Sequence, residues 1–269
     1  MILCSVGAVI GRGNDWDIRH LYECLDRLNC DGYEFMLFGM WYEQIDALKR
    51  FMRDFPAPVP VFHCEKRVGD LISRNDAGDY DTAVERFEIN CALARDIGAE
   101  KLVLHLWGGL ASDKEIERNI AAYAVLRDIL DRYGLELCVE NVVCNTRDPM
   151  THMRTLAGIY PDISFTYDTK MAEFHGQLGE LSAPENQWLL KHIRHLHIND
   201  YKGAYGDWDS LRTLHVGDGQ ADFDGFFKAL NATDYRGHYT VEATSIAPTG
   251  EIDFAALNRS FDRIRSYIE

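Results

Sequence analysis

Short apolar runs alternate with longer amphipathic stretches along almost the whole chain, and this alternation predicts strands separated by helices. Because a helix between consecutive strands lets both strands run in the same direction, the pattern favours one parallel sheet covered by helices. Eight runs have the length and composition of buried strands: Ile2–Ile10, Tyr33–Phe38, Val59–Cys64, Lys101–Leu106, Leu135–Glu140, Ile163–Asp168, Ile193–Asn199 and Tyr239–Ala243.

The stretches between these runs show the three- and four-residue apolar spacing of helices. Gly98 and Gly134 are expected to end two of them, and Asp148-Pro149 to begin another, with Asp148 as the N-cap and Pro149 in the first turn. The other predicted helices are Asp17–Asn29, Trp41–Phe55, Asp81–Ile97, Lys114–Tyr133, Phe223–Leu230 and Phe254–Ile268.

Eight strand–helix units in 269 residues match the size of a (β/α)8 barrel. The predicted fold class is therefore α/β, with a (β/α)8 TIM barrel. The alternative is a doubly wound open sheet, which usually has a glycine-rich turn after its first strand; Gly11-Arg-Gly13-Asn is too short a match. Since no linker or repeat marks a boundary, residues 1–269 are expected to form a single domain.

The last four predicted strands share a side-chain pattern that indicates a site. Side chains alternate between the two faces of a strand, and here one set is apolar while the other points into the barrel. The inward set ends, strand by strand, in Glu140, Asp168, His197 and Glu242. Active sites of (β/α)8 barrels lie at the C-terminal ends of the strands, so we expect these four residues to lie together.

Three carboxylates that converge without a cation would repel one another. A divalent cation relieves this repulsion, and mixed oxygen and nitrogen ligands suit Mn²⁺, Zn²⁺, Mg²⁺ or Co²⁺. The alternative is four unrelated charged residues facing solvent, which their shared position on four adjacent strands disfavours. The sequence therefore predicts one divalent metal ion, bound by Glu140, Asp168, His197 and Glu242.

At these residues the sequence resembles the xylose isomerase-like superfamily of TIM barrels, which contains sugar isomerases and epimerases and, as distant relatives, the apurinic endonucleases. The matching segments are Gly32-Tyr-Glu34, Val103-Leu-His105, Val139-Glu-Asn141, Tyr167-Asp-Thr169, His195-Leu-His-Ile-Asn-Asp200, Leu214-His-Val-Gly-Asp-Gly219 and Val241-Glu-Ala243. The resemblance implies the same four metal ligands, with the two glutamates exchanging protons with a substrate carbon. Many members have a His three residues after the Asp of the sixth strand; here that position is Met171, and the nearest His is His175.

The implied reaction is isomerisation or epimerisation of a small sugar or polyol derivative through an enediolate. A C–H proton next to a carbonyl is removed and returned, the metal stabilises the charge on oxygen, and Glu140 and Glu242 are the expected catalytic residues. Three alternatives remain. One is an apurinic endonuclease-type metal phosphodiesterase, which uses three zinc ions, and another is a dehydratase, in which the same proton abstraction ends in loss of water. The third is a non-catalytic sugar-binding protein, which the paired glutamates disfavour.

Several residues near the predicted strand ends are candidates for contact with the substrate. Each of four candidates also has an alternative role. His63 and His105 could be histidines of the barrel interior, Trp107 a packing anchor, and Lys170 a surface residue. Glu34 is a candidate buried partner of the metal ligands, and His195 is assigned a core role. The substrate-binding candidates are His63, His105, Trp107, Lys170 and His175.

Charge narrows the range of partners. Acidic residues outnumber basic ones by 43 to 28, a net charge of −15, so the surface repels nucleic-acid phosphates and anionic lipids at long range. Asp200, Asp207 and Asp209 also place negative charge where barrels often bind phosphate, which disfavours phosphorylated substrates. A small neutral or weakly charged sugar-like substrate is therefore expected, and neither nucleic acid nor a membrane.

Cysteine usage favours a cytoplasmic protein. The seven cysteines are odd in number and form no C-x-x-C pair, so reduced thiols are expected rather than a disulfide framework or a thiolate zinc site. The first residues, Met1–Gly7, lack the basic segment of a secretory signal. The sequence leaves the oligomeric state open, with a homo-oligomer among the alternatives.

Overall fold

The computed structural model describes residues 1–269, whose eight strands form a closed parallel barrel in chain order. The last strand pairs with the first, with Leu3 opposite Thr240, which confirms the (β/α)8 barrel and excludes an open sheet. The strands are β1 (Ile2–Ser5), β2 (Gly32–Met36), β3 (Val61–His63), β4 (Lys101–Leu104), β5 (Glu136–Glu140), β6 (Ser164–Asp168), β7 (Ile193–His197) and β8 (His238–Val241).

Helices separate the strands. They are α1 (Val6–Val9), α2 (His20–Leu25), α3 (Ile45–Asp54), α4 (Arg67–Arg74), α5 (Asp79–Asp96), α6 (Ile116–Asp131), α7 (Pro149–Ile159), α8 (Thr169–Phe174), α9 (Gln187–Leu190), α10 (Phe223–Asn231) and α11 (Phe254–Ile268). Short 3₁₀ helices cover Arg12–Asn14, Gly39–Gln44, Gly179–Ser182, Pro184–Asn186 and Trp208–Ser210.

The predicted helix boundaries at glycine and at Asp148 are confirmed. Gly98 and Gly134 have φ values of +82° and +70°, the left-handed conformation in which helices commonly end. The carboxylate of Asp148 accepts the backbone N–H of Thr151 at 2.8 Å, and Pro149 occupies the first helical position. The sequence signals for these turns are local, so tertiary packing did not change them.

The first strand is shorter than predicted, and the structure contains four helices that the sequence pattern did not predict: α1, α4, α8 and α9. The strand prediction for residues 6–10 was wrong: the Ser5 hydroxyl accepts the N–H of Gly7 and begins α1. Asp168 is the N-cap of α8, and its Oδ1 accepts the N–H of Met171 at 3.1 Å. Helix α4 follows β3 after a short turn. A short buried apolar run fits a strand or a helix equally well, which explains the error.

Contacts within the chain define two compact units, residues 1–34 with 167–269, and residues 35–166. The apolar core of the first contains the buried residues Leu3, Leu196, Phe227, Val241 and Leu257. That of the second contains Phe62, Phe87, Leu102, Leu126 and Val139. The expectation that residues 1–269 form one domain stays a prediction.

Two of the sequence expectations concern the chain as a whole. Six of the seven cysteines are buried thiols, with Cys30 partly accessible. No helix combines the length and the apolar character needed to cross a membrane.

Candidate active site

Three of the four predicted metal ligands lie in the unit formed by residues 1–34 and 167–269. Asp168 ends β6, His197 ends β7, and Glu242 directly follows β8. Asp168 and His197 are fully buried and Glu242 is 8% exposed; one ligand atom of each lies within 4.8 Å of the others. His197 Nδ1 is 3.3 Å from Glu242 Oε2, close to the roughly 3 Å that separates two donors bound at about 2.1 Å to one cation.

Asn199 holds two of these carboxylates in place. Its Nδ2 donates to Asp168 Oδ2 at 3.2 Å and approaches Glu242 Oε2 at 3.4 Å, while its Oδ1 accepts the N–H of Glu242 at 2.9 Å. Thr169 fixes Asn199 in turn, because its hydroxyl donates to the Asn199 carbonyl at 2.6 Å and accepts the Asn199 N–H at 2.9 Å. Asn199 is not among the site residues predicted from the sequence, although it lies two residues after His197 and shares its parity.

A buried carboxylate lies behind His197. Glu34 on β2 is fully buried, and its oxygens are 3.0 Å from His197 Nε2 and 2.7 Å from His195 Nε2. Burial opposes a charge at this position, but His197 and His195 outweigh it and hold the pKa of Glu34 well below its ordinary value. These contacts agree with the expected role of Glu34 as a buried partner of the metal ligands and with the core role assigned to His195.

Glu140, the fourth predicted ligand, ends β5 in the unit of residues 35–166 and is fully buried. His105 Nε2 lies 2.7 Å and His63 Nε2 3.3 Å from Glu140 Oε2. His63 Nδ1 donates to the Cys64 carbonyl at 2.8 Å, which fixes that ring. Burial lowers the pKa of His105 to about 4, against the opposing effect of Glu140, so His105 is neutral near neutral pH. Both histidines thus contact the predicted catalytic carboxylate.

Helix α4 holds the end of β4 at close range. A Cβ on Gly69 would lie 2.1 Å from the carbonyl oxygen of His105, so only glycine permits this approach. The contact fixes the backbone that carries His105.

The other candidate substrate residues differ in their surroundings. Lys170 is 8% exposed, and its Nζ lies 3.1 Å from Thr213 Oγ1 and 3.7 Å from Asp168 Oδ2, so it is not a surface lysine. His175 follows α8, is 7% exposed and packs edge-on against Phe174 at 5.0 Å. Trp107 is fully buried and donates from Nε1 to the Val142 carbonyl at 3.0 Å, which fits a packing anchor. Substrate contact by these residues stays a prediction.

The carboxylate of Asp200 occupies the turn at residues 217–221, where the sequence disfavours a substrate phosphate. Its carboxylate accepts the backbone N–H groups of Gly217 at 2.8 Å, Gly219 at 2.9 Å, Ala221 at 3.0 Å and Tyr201 at 2.8 Å. Converging backbone N–H groups of this kind form anion sites in other proteins. Here the chain supplies its own anion, so these amides cannot serve a substrate phosphate.

A second cluster of metal-type residues surrounds Asp113, with Cys144 and His152. Asp113 Oδ1 accepts the N–H groups of Asn145 and Thr146 at 2.7 and 2.9 Å; Oδ2 accepts Arg147 N–H at 2.8 Å and His152 Nε2–H at 3.0 Å. Two donors on each oxygen use its lone pairs. Burial also raises the pKa of Cys144, which disfavours the thiolate that a metal needs. The cluster is therefore a structural anchor for the loop after β5.

Asp113→Asn is expected to lower the free energy of unfolding by about 1–3 kcal/mol, because the amide leaves two of the four donors facing an NH₂ group. Burial opposes ionisation of Asp113, but His152 and the three amides outweigh it and lower its pKa. The stabilisation is therefore complete above the unfolded pKa of about 3.9 and is lost as pH falls through the lower folded value. Denaturant unfolding of both proteins across this range measures the difference.

Asp148→Asn is the matched control in the same loop. Asp148 caps α7 through Thr151, and Asn is as good an N-cap as Asp. This variant should therefore unfold close to the wild type. Equal stability of the Asp113→Asn and Asp148→Asn proteins would contradict the anchoring role.

Residues 10–261 match the family model described as xylose isomerase-like TIM barrel. No curated protein gives a significant match to the sequence.

Solved structures resemble the chain over almost its full length. A D-tagatose 3-epimerase-like protein is 18% identical, with a TM-score of 0.73 over 99% of this chain and 96% of the other. An L-ribulose 3-epimerase is 19% identical, with a TM-score of 0.71 over 99% and 94%. The IOLI protein, solved with a bound zinc atom, is 13% identical, with a TM-score of 0.67 over 99% and 97%. At these identities the likeness establishes the fold.

Proposed function

The chain belongs to the xylose isomerase-like TIM-barrel family, and we propose that within it the protein is a divalent-metal-dependent isomerase or epimerase of a small sugar or polyol derivative. The observation that carries the proposal is the buried convergence of Asp168, His197 and Glu242 at the ends of three consecutive strands. Two of the similar structures are named as a sugar 3-epimerase and a 3-epimerase-like protein, which supports the same class of reaction.

The proposed cation is held by Glu140 together with Asp168, His197 and Glu242. Glu140 pairs opposite Thr166, two residues before Asp168, so the two carboxylates have matching parity on neighbouring strands. Three carboxylates and one imidazole suit Mn²⁺, Mg²⁺, Co²⁺ or Zn²⁺, and the IOLI structure contains zinc. When bound, the cation supplies Lewis-acid stabilisation of negative charge on the substrate oxygens.

The chain itself supplies the proton transfers. In the proposed reaction one of Glu140 and Glu242 removes the C–H proton beside the substrate carbonyl, and the other returns a proton from the opposite side. Return to the same carbon gives the epimer, whereas return to the former carbonyl carbon gives the isomer. His63 and His105 orient the Glu140 carboxylate, and Asn199 orients Glu242.

The substrate is proposed to lack a phosphate group. Asp200 already occupies the backbone N–H groups of the turn at residues 217–221, and the net charge of −15 disfavours anions generally. Ketoses and related polyol derivatives of neutral charge are therefore the first compounds to test. A homo-oligomer and a cytoplasmic location stay predictions.

The proposal is tested by metal analysis followed by a substrate screen. Purified protein should contain about one divalent ion per chain, and exhaustive chelation should abolish activity. Free ketoses incubated with enzyme in deuterated water should take up deuterium at one carbon next to the carbonyl, with ketoses phosphorylated at a terminal hydroxyl as the negative comparison. Full activity in metal-free protein, or the absence of exchange in every ketose tested, would contradict the proposal.

A metal phosphodiesterase of the apurinic endonuclease type is the second candidate. Ligand atoms of His63, His105 and Glu140 lie within 4.8 Å of one another, which favours additional metal binding in the unit of residues 35–166. Met171 and the acidic net charge count against it. Three ions per chain and cleavage of abasic DNA would support this function; one ion and deuterium exchange into ketoses would support the first. A dehydratase would be recognised by loss of water from the product.

A further inference from the structure

The carboxylate of Glu34 accepts three donors with its two oxygens. His197 Nε2 lies 3.0 Å from Oε1, while His195 Nε2 and Thr240 Oγ1 each lie 2.7 Å from Oε2. Glu34 and its three partners are all fully buried, and each is 0% exposed. Water therefore cannot replace any of these partners.

This geometry indicates which nitrogen of His197 carries hydrogen. Carboxylate oxygens are hydrogen-bond acceptors, and the 3.0 Å contact of His197 Nε2 with Oε1, beside two further partners on Oε2, fits an imidazole that presents Nε2–H to Glu34. A neutral imidazole with hydrogen on Nε2 has a lone pair on Nδ1. That lone pair is directed to the side of Glu242, whose Oε2 is 3.3 Å from Nδ1. Both atoms would then be available as ligands to a bound divalent cation.

We propose that Glu34 is the positioning residue that makes His197 an Nδ1 metal ligand, an inference that rests on the metal site of the proposed function. Carboxylates that orient metal-bound histidines through the opposite nitrogen typically contribute 10–100-fold to metal affinity. Glu34 is well suited to this role because it lies on β2 and His197 lies on β7, so a strand of the barrel fixes each partner.

The variant Glu34→Gln separates this role from simple packing. Glutamine has nearly the same size, but it offers one acceptor oxygen and an NH₂ group in place of two acceptor oxygens. With its NH₂ group in the place of Oε1, the glutamine faces the Nε2–H of His197. The His197 ring is expected to relieve this clash by moving its hydrogen to Nδ1, where the hydrogen blocks the metal.

Two measurements test the proposal. Long-range ¹H–¹⁵N NMR of the metal-free protein, at a pH where imidazole is neutral, reports the tautomer of His197, with the signals assigned by their loss in His197→Ala. Calorimetric titration with Co²⁺ alone reports the affinity. The wild type should show hydrogen on Nε2, and Glu34→Gln should show a shift toward Nδ1–H and an affinity lower by about 10–100-fold.

Thr240→Val is the matched control. It removes another donor to the same buried carboxylate and keeps the side-chain shape, so it should retain the His197 tautomer and the affinity for Co²⁺. An Nδ1–H tautomer in the wild type, wild-type Co²⁺ affinity in Glu34→Gln, or equal losses in both variants would overturn the proposal. If the wild type bound no divalent ion, the proposed function would fail, while the tautomer of the metal-free protein would still decide the role of Glu34; the same wild-type measurement decides it if Glu34→Gln does not fold.

Discussion

Glu140→Gln and Glu242→Gln should each lower turnover by the ~10²–10⁴-fold typical of general acid–base residues. Glutamine keeps the size of the side chain and one oxygen ligand but removes the basic carboxylate, so the loss of metal should be smaller than the loss of turnover. The two variants should also differ from each other. Where the replaced glutamate is the one that only returns the proton, the remaining glutamate can still exchange substrate hydrogen with solvent.

Deuterium uptake at the substrate carbon, measured beside turnover in each variant, distinguishes the two roles. Glu136→Gln is the control on the same strand as Glu140, because Glu136 lies at the opposite end of β5 and bonds to Lys101 and Ser164. It should turn over and exchange like the wild type. If Glu140→Gln and Glu242→Gln did so as well, the proton-transfer mechanism would have to be abandoned.

His197→Ala is expected to lower divalent-metal affinity by more than the ~10–100-fold associated with residues that only orient a ligand. The change removes a neutral ligand and opens a coordination position. The barrel should survive, because β7 is held by Leu196 and its other apolar side chains. Metal titration gives the affinity, and circular dichroism gives the fold.

His192→Ala controls for the loss of an imidazole near β7. His192 directly precedes the strand and lies at the end opposite His197, so this variant should bind metal normally. Normal affinity in His197→Ala would show that His197 is not a ligand and that the interpretation of the seventh strand is wrong.

The sequence predicted the barrel because its strands are short, buried and regularly spaced, and because several helix ends have a local signal such as Gly98 or Asp148. Parity also placed Asp168, His197 and Glu242 on the inward side of their strands, and one ligand atom of each lies within 4.8 Å of the others; their role as metal ligands stays a prediction. The sequence did not predict α1, α4, α8 or α9, since short apolar segments carry no clear period. For Glu140, the place in a common metal site stays a prediction.

The supporting residues were harder to predict. Asn199 had a usable signal, its parity with His197, whereas the contacts of Asp113 with residues 145–147 join positions more than thirty residues apart and are made to backbone groups. Almost every residue type carries the same backbone N–H group, so no pattern of residue types marks these donors. Such contacts depend on how the loops fold.

The anchoring of the loop by Asp113 also has a consequence for motion. Residues 141–148 contain no helix or strand, and amides in such a loop ordinarily exchange with solvent through small local openings. Here Asn145, Thr146 and Arg147 share one buried carboxylate, so their hydrogens should exchange slowly and together, in a single cooperative opening. On the timescale of hydrogen exchange, the segment after Glu140 should behave as a rigid extension of β5.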